Sequence, residues 1–361
     1  MRRLFTLFLF PICLVFPQSN EPHMRIAIAG LVHGHVAGFL NAVRDHPNVE
    51  IVGIFEPDTE LQARYRQQYA FVGSIFFTDL GKMLAQVKPD AVATFTSTYH
   101  HPMVVEACAM RHTPVMMEKP LAVSMEHARA IRKAADRGGI PVIVNYETTW
   151  YRSHGAMWDL VKTQHAGGDI RKMVAMDGHE GPREINVQPE FFGWLTDPVK
   201  NGAGALFDFG CYGANLMTWM MDNQRPIAVT AVTQRIKPQI YPRVDDEATI
   251  LVEYPKAQGI IQASWNWPFS RKDFEVYTKA AYAIAVGGNT LRVRMPKEQE
   301  ETRTPATLPA EDQDSLSYLA SVVINHRKPA GLSSLENNMI VTEILDTARE
   351  SARTGRTIRL R

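Results

Sequence analysis

Cysteine is scarce in this chain of 361 residues, which contains only Cys13, Cys108 and Cys211. No two of them form a C-x-x-C pair, so the sequence indicates neither a zinc site nor a disulfide framework, and we expect buried free thiols. An excess of one charge is also lacking, since 39 Lys and Arg face 38 Asp and Glu. The chain also lacks the long basic run that is typical of nucleic-acid-binding proteins, so we expect no nucleic-acid partner.

Long apolar runs are absent except near the N-terminus. Arg2 and Arg3 precede a stretch of about a dozen mostly apolar residues, which is typical of a signal peptide and short for a membrane span. The paired arginines loosely match a twin-arginine export signal. Alternatively Met24, in "MRIAIAG", is the natural start and residues 1–23 are a non-native extension. The predicted location is exported or periplasmic if the leader is genuine, and cytoplasmic otherwise. No later segment is predicted to span a membrane.

The pattern of apolar segments divides the remaining chain into two predicted domains. In residues 24–145 apolar strands alternate with helices, which predicts an α/β domain with a doubly wound parallel sheet. Residues 146–361 are β-rich, with "AVTAVTQRI", "EATILVEYP" and "GIIQASWNW" lying close together, and predict a mostly antiparallel sheet. A C-terminal helix is predicted between a capping Ser334 and Gly355.

The stretch "GLVHGHVAG" follows the first predicted strand and opens a helix. A dinucleotide site needs a tight glycine turn there, with helix N-terminal amides facing the pyrophosphate. Gly30, Gly34 and Gly38 replace the usual G-x-G-x-x-G spacing, so the motif is weak alone. Glu56 ends the next strand, where a carboxylate can bind the adenosine ribose and would repel a 2′-phosphate. We therefore predict NAD as the cofactor, with NADP as the alternative.

Two histidines, His33 and His35, are unusual in such a turn. They are either solvated loop residues or contacts to the pyrophosphate or nicotinamide. No His, Cys, Asp or Glu cluster shows metal-ligand spacing, and we predict no metal.

Four stretches together resemble the Gfo/Idh/MocA oxidoreductase family: the glycine turn, "TSTYHH" at 96–101, "EKPLA" at 118–122 and "GAGALFDFGCYG" at 202–213. The resemblance runs from about residue 24 to the C-terminus. It implies a Rossmann domain followed by an α/β domain with a large open, mostly antiparallel sheet. It also implies NAD or NADP as cofactor and sugars, polyols or related compounds as substrates. Many members associate through that sheet, so a homodimer or homotetramer is expected.

The resemblance assigns roles to two motifs. Lys119 matches the lysine that contacts the nicotinamide ribose and the substrate hydroxyl, with Glu118 beside it on the cofactor side. Pro120 would shape the loop, with a cis bond to Lys119 as a hypothesis. Many members have Asp, three residues and then His in the second motif, whereas here Asp208 is followed by Tyr212.

A third motif bears on the cofactor. "TSTYHH" stands where many members have T-P-N-x-x-H. Thr96 and His101 match the pattern, while Ser97 and Thr98 replace the proline and asparagine. By resemblance Thr96, Thr98 and His101 are candidate cofactor-binding residues, although the two replacements change the contacts of the loop.

Oxidation of a carbinol needs a base whose pKa lies near the working pH. Burial lowers the pKa of a lysine and a nearby cation lowers that of a tyrosine, so we expect Tyr212 or Lys119 to take the proton while Asp208 orients the sugar. His179 and Trp194 are candidate substrate contacts. Structural alternatives are a helix cap for Asp208 and core packing for Tyr212 and Trp194.

The sequence thus predicts an NAD(P)-dependent oxidoreductase that acts on a sugar, polyol or related carbinol. One alternative is an NAD-dependent glycoside hydrolase, which oxidises a sugar transiently, eliminates its substituent and restores the hydride. The other is a non-catalytic sugar- or nucleotide-binding protein, because a fold does not determine a function. The presence of both Lys119 and Asp208 disfavours that last alternative.

Overall fold

A computed structural model describes residues 23–46 and 48–360. The predicted leader lies almost wholly outside these residues, so export stays a prediction. Within the described ranges, no helix combines the length and apolar character that crossing a bilayer would require.

The N-terminal domain contains a six-stranded parallel sheet in the order β3-β2-β1-β4-β5-β6, the doubly wound arrangement that the sequence predicted. Its strands are β1 (Met24–Ala29), β2 (Val49–Phe55), β3 (Phe76–Phe77), β4 (Ala91–Thr94), β5 (Val115–Glu118) and β6 (Val142–Asn145). The connecting helices are α1 (Val36–Arg44), α2 (Thr59–Tyr69), α3 (Leu80–Val87), α4 (His101–Ala109) and α5 (Met125–Gly138). The chain order reverses between β1 and β4, which is where such folds bind ligands.

The second domain contains a nine-stranded sheet in the order β14-β13-β12-β11-β7-β10-β9-β8-β15. The β7–β10 pair is parallel and the other pairs are antiparallel, which confirms the mostly antiparallel prediction. Its strands are β7 (Ile170–Gly178), β8 (Ala228–Gln234), β9 (Glu247–Glu253), β10 (Gln258–Ser264), β11 (Arg271–Thr278), β12 (Tyr282–Val286), β13 (Thr290–Arg294), β14 (Glu301–Arg303) and β15 (Ile358–Arg359). The helices after β6 are α6 (Arg152–Trp158), α7 (Pro189–Leu195), α8 (Pro198–Asn201), α9 (Ala205–Asp208), α10 (Gly210–Met220), α11 (Ser315–Ile324) and α12 (Leu335–Thr354).

Helix α10 lies against the inner face of the nine-stranded sheet, and almost every one of its residues is buried. Gly213 permits this contact, because a Cβ there would lie 2.7 Å from Ala175 on β7. Helix α12 covers α10 and β8. It begins at its predicted cap, where the Ser334 side chain accepts from the Asn337 amide, and it ends at Gly355 in the left-handed region.

Helix α11 departs from the predicted division at residue 146. Although it follows the second sheet in the chain, its apolar face packs into the core of the N-terminal sheet. Leu316, Leu319 and Val322 are buried there with Ile26 and Ile28 of β1. The N-terminal domain therefore includes a late segment of the chain, and the two domains are joined by more than one crossing.

Candidate active site

The glycine turn joins β1 to α1 at the carboxyl edge of the parallel sheet. Gly30 has φ +86°, and a Cβ there would lie 2.7 Å from the Thr96 side chain, so both conformation and space require glycine. A Cβ on Gly34 would lie 2.8 Å from the Phe191 ring. Gly38 is different, because it lies inside α1 with open space around it. Only the first two glycines of the proposed motif thus belong to the turn.

Glu56, at the end of β2, is buried and tied to this turn. Its two carboxylate oxygens accept hydrogen bonds from the backbone N–H groups of Leu31 (2.8 Å) and Asp58 (3.0 Å). Burial raises the pKa of Glu56, although these two hydrogen bonds oppose the shift. The carboxylate thus follows β2, at the position from which the sequence analysis expects it to bind the adenosine ribose.

Helix α7, from the second domain, packs across the glycine turn. The Trp194 indole N–H donates to the Val32 carbonyl at 3.0 Å, and Arg64 on α2 forms an ion pair with Glu190 at 2.5 Å. A cavity of about 420 Å³ lies between α7 and the sheet edge, lined by residues that include Gly30, Glu56 and Thr96. Trp194 lines this cavity beside the turn, and its predicted contact with a substrate stays a prediction.

The "TSTYHH" loop follows β4. Thr96 lines the cavity, and its hydroxyl contacts that of Thr94 at 3.1 Å. Thr98 and His101 are fully buried. His101 Nδ1 contacts the Leu121 carbonyl at 3.1 Å, and burial lowers the pKa of His101 to about 4. A neutral His101 therefore holds the loop after β5 in place, while direct cofactor contact by Thr98 or His101 stays a prediction.

His33 is buried and His35 is exposed, and both side chains lie near Glu118. Their predicted contact with the cofactor stays a prediction. His35 Nδ1 lies 2.9 Å from Glu118 Oε2, and Asn145 donates to Oε1 at 2.8 Å. Burial alone would raise the pKa of Glu118, but the two histidines and Asn145 lower it to about 2. His33 Nδ1 accepts from the His35 backbone N–H, and burial lowers the pKa of His33 well below its usual value.

The donor atoms of His33, His35 and Glu118 all lie within 4.8 Å of one another, a convergence that the sequence spacing did not indicate. Two of these atoms, His35 Nδ1 and Glu118 Oε2, already bond to each other, and His33 Nδ1 accepts from the His35 backbone N–H. The expected absence of a metal stays a prediction.

Lys119 is the centre of the second half of the site. Its ammonium donates to Asp208 Oδ1 at 2.5 Å and to the Asp208 carbonyl at 2.9 Å, and both side chains are buried. The Trp265 indole N–H donates to the other carboxylate oxygen, Oδ2, at 2.9 Å. The Lys119–Pro120 bond is cis, as hypothesised. Asp208 is thus the partner of Lys119 and not a helix cap.

The expected pKa values of the two candidate bases are wrong in direction. Burial would lower the pKa of Lys119, but the Asp208 carboxylate outweighs burial and raises it. Burial, followed by nearby acidic groups, raises the pKa of Tyr212 well above 10. The Lys119 ammonium lies 5.0 Å from the centroid of the Tyr212 ring, where it contacts the π face. Lys119 is therefore charged and Tyr212 neutral at neutral pH.

His179 follows β7 and lies near the Lys119–Asp208 pair, and its contact with a substrate stays a prediction. Its ring meets the Phe209 ring edge-on at 4.8 Å, and Nδ1 accepts from the Gly181 N–H at 2.8 Å. Burial lowers the pKa of His179, although Asp208 opposes the shift. Because Nδ1 is an acceptor, the neutral ring carries its proton on Nε2 and offers a donor.

Sequence reasoning missed Glu147 and Lys272, which border Tyr212, and Asp177, which lies opposite Lys272. Lys272 lies 4.8 Å from the centroid of the Tyr212 ring and forms an ion pair with Glu147. Glu147 comes two residues after β6, so its place at the carboxyl edge of the parallel sheet was a usable signal. Asp177 and Lys272 carried none, because strand pairing brings them together.

Comparison with known proteins identifies the family. The N-terminal model of the Gfo/Idh/MocA family, described as an oxidoreductase family with an NAD-binding Rossmann fold, matches residues 24–146. The C-terminal domain model of the same family matches residues 156–283. The chain belongs to the Gfo/Idh/MocA oxidoreductase family.

Individual relatives are distant. A dTDP-3,4-didehydro-2,6-dideoxy-alpha-D-glucose 3-reductase of Streptomyces antibioticus is 24% identical over 192 residues, which is 53% of this chain and 55% of that protein. A scyllo-inositol 2-dehydrogenase (NADP(+)) of Bacillus subtilis is 21% identical over 73% of this chain and 75% of its own. This chain spans only about half the length of the first curated relatives that it matches.

One solved structure is an inositol dehydrogenase homologue from Azotobacter vinelandii, complexed with NADH and myo-inositol. It matches with a TM-score of 0.78 at 16% identity and covers 94% of this chain and 98% of its own. At this identity the likeness supports the fold alone.

The residues present fit a nicotinamide dinucleotide. Gly30 leaves no room for a side chain at the turn, the α1 N-terminus follows directly, and Glu56 borders a cavity of about 420 Å³. Gly30, Glu56 and Thr96 would hold the adenosine side, and Lys119 would lie near the reacting carbon.

Proposed function

We propose that this protein is an NAD(P)-dependent oxidoreductase that transfers hydride between the nicotinamide and a sugar, polyol or related carbinol. The carrying observation is the buried Lys119–Asp208 pair at the carboxyl edge of the parallel sheet, next to the glycine turn. A dinucleotide-binding edge and a buried proton-carrying group in one cleft are what hydride transfer at a carbinol needs.

The nicotinamide, when bound, supplies the hydride acceptor or donor. The protein supplies the proton and the orientation. The Lys119 ammonium can donate to a substrate oxygen and give it a proton during carbonyl reduction. During oxidation, the neutral Lys119 amine, present at alkaline pH, can accept the hydroxyl proton. Asp208 fixes the ammonium in place, and the Nε2–H of His179 can hold a second substrate oxygen.

NAD is the proposed cofactor in preference to NADP. The Glu56 carboxylate is held in the cavity wall by two backbone N–H groups, so it cannot swing away from an incoming phosphate. Repulsion of a 2′-phosphate would then weaken NADP binding. Equal affinity of the purified protein for NAD and NADP, measured by fluorescence titration, would contradict this preference.

Self-association through the nine-stranded sheet is part of the proposal. The face of this sheet that points away from α10 carries exposed apolar side chains at Val232, Leu251 and Val286, and Phe269 beside it is 78% exposed. Apolar surface of this kind is typical of an interface. A monomer in size-exclusion chromatography with light scattering would contradict it. Export from the cytoplasm stays a separate proposal, tested by N-terminal sequencing of the mature protein.

The function is tested by recording the absorbance and fluorescence of bound nicotinamide before and after a panel of sugars, polyols and aryl glycosides is added. Accumulation of reduced nicotinamide with one sugar would establish the dehydrogenase and its substrate class. Release of the aryl group without net reduction would indicate the hydrolase instead. Failure to bind either NAD or NADP would refute the proposed function.

The matching variant is Lys119→Ala, which should lower turnover about 100-fold or more because it removes the proton-carrying group. Cofactor affinity should stay close to that of the wild type. Turnover equal to that of the wild type would remove Lys119 from the mechanism.

A further inference from the structure

A second ion pair borders the ring of Tyr212. Lys272, on β11, donates to Glu147 Oε2, and the Tyr151 hydroxyl donates to Glu147 Oε1 at 2.5 Å. The ammonium groups of Lys272 and Lys119 lie 4.8 and 5.0 Å from the centroid of the same ring. One aromatic side chain is thus bordered by two ion pairs, and only the Lys119 pair has a role in the proposed chemistry.

Asp177 adds a buried carboxyl group to this second pair. It lies directly opposite Lys272 in the antiparallel β7–β11 pairing, so both side chains point to the inner face of the sheet. Asp177 is only 1% exposed, and its Oδ2 has no hydrogen-bond partner among the described residues. Burial, which Lys272 only partly offsets, raises the pKa of Asp177 well above its usual value. The Asp177 carboxyl group therefore has hydrogen-bonding capacity that no described residue uses.

Two members of the cluster, Glu147 and Lys272, are accessible to solvent. The side chain of Glu147 is 50% exposed and that of Lys272 is 14% exposed, whereas Lys119 and Asp208 are 6% and 7% exposed. A substrate whose reacting carbon lies at Lys119 would extend along Tyr212 toward Glu147 and Lys272.

We propose that Glu147, Lys272 and Asp177 form a subsite for hydroxyl groups remote from the reacting carbon, and that it selects a neutral polyhydroxylated substrate over a carboxylated sugar. This inference rests on the proposed function of the same site.

Charge pairing supports the choice of a neutral substrate. Both ammonium groups of the cluster already face a carboxylate, Lys119 with Asp208 and Lys272 with Glu147. A hydroxyl group can donate to Glu147 and accept from Lys272 without disturbing either pair. A substrate carboxylate would have to draw Lys272 away from Glu147, which would leave an unpaired carboxylate next to it. Discrimination by an unpaired group of this kind is strong.

The test compares neutral sugars with their 6-carboxylates, for example D-glucose with D-glucuronate and D-galactose with D-galacturonate, in the NAD-loaded enzyme. The wild type should prefer the neutral member of a pair at least tenfold in kcat/KM. Glu147→Gln frees Lys272 and should shift this ratio about tenfold toward the uronate. Lys272→Met should raise KM for the neutral sugar about tenfold, with the affinity for NAD unchanged.

The matched control is Lys162→Met. Lys162 is also paired with an aspartate, Asp222, and lies 5.7 Å from the centroid of an aromatic ring, Trp158, outside the candidate active site. A loss that appears equally in Lys162→Met and Lys272→Met would overturn the subsite. So would a wild type that uses both members of each pair equally, or a ratio that Glu147→Gln does not move.

Failure of the proposed function is distinguishable from failure of the subsite. If no sugar reduces the nicotinamide, the hydride-transfer function fails, and the same pairs are then compared by calorimetric binding to the NAD-loaded protein. Tighter binding of the neutral member that Lys272→Met abolishes would support the subsite. Equal binding of both members, or no binding of either, would overturn it.

Discussion

The indole N–H of Trp265 donates a hydrogen bond to Oδ2 of Asp208 at 2.9 Å, while Lys119 holds the other oxygen of the same carboxylate. Trp265 is fully buried and touches Asp208 with its only polar atom. It therefore fixes the plane of the carboxylate that holds the Lys119 ammonium.

Trp265→Phe keeps an aromatic ring and removes this hydrogen bond. A hydrogen bond to a charged group contributes about 1.5–3 kcal/mol, so we expect kcat to fall about tenfold or more. The affinity for NAD should not change. Trp219→Phe, which alters a Trp158–Trp219 stack outside the candidate active site, is the control and should leave kcat unchanged. An equal loss of kcat in both variants would show that Trp265 acts only through packing.

Asp208→Asn should change the pH dependence of oxidation. In the wild type Asp208 raises the pKa of Lys119, so a lysine base becomes neutral only in the alkaline range and kcat/KM should still rise above about pH 9. Without the carboxylate, burial dominates and lowers that pKa, so the rising limb should move to lower pH. Profiles from pH 6 to 11 measure the shift, with Asp222→Asn as control. If the rising limb of kcat/KM lies at the same pH in Asp208→Asn as in the wild type, Lys119 is not the titrating group.

Gly30 and Gly38 form a matched pair for the glycine turn. In Gly30→Ala the new side chain must adopt a left-handed φ and clashes with the Thr96 side chain. This variant should therefore destabilise the fold by about 1–3 kcal/mol and weaken NAD binding. Gly38→Ala enters open space within α1 and should stabilise by about 0.5–1 kcal/mol. Denaturant unfolding and NAD titration of both variants provide the comparison. Unchanged NAD affinity in Gly30→Ala would show that this turn does not contact the cofactor.

His154 should make the fold acid-sensitive. It is fully buried, its Nδ1 contacts the Thr148 carbonyl at 2.8 Å, and burial lowers its pKa to about 4. The unfolded chain takes up the proton near pH 6.5 and the folded chain does not, so stability falls as the pH drops from about 6.5 to 4. The loss from this one group approaches about 3 kcal/mol.

His154→Gln removes the titration. Its free energy of unfolding should fall less between pH 7 and 4 than that of the wild type, even if it is less stable at pH 7. Urea unfolding across this range measures the slope, and His46→Gln is the control at a less buried site. Parallel slopes in the wild type and His154→Gln would show that another group dominates.

The sequence predicted those features that local chemistry determines. The strand–turn–helix at Gly30, the acidic residue at 56 and the capped final helix all follow from short spacings, and the structure has each of them. Lys119 and Asp208 were found through their motifs, and the structure pairs them.

Features that depend on tertiary pairing were missed. Lys272 and Glu147 are 125 residues apart and meet only because β11 lies beside β7 and faces the end of β6. The contact between Trp194 and Val32 was likewise missed, because only the path of α7 brings the two residues together. The pKa directions failed because the ion pair of Lys119 is visible only in three dimensions.

By resemblance to the family motif, Tyr212 stands at a position where histidine is expected, and its neighbours explain the role of the tyrosine ring. Two ammonium groups would repel each other across a small pocket, and the electron-rich face of a neutral ring attracts both. A histidine at 212 would meet the same two cations and the same burial, both of which favour the uncharged imidazole. The residues at positions 212 and 272 are therefore coupled. With lysine at 272, a positively charged side chain at 212 would be repelled.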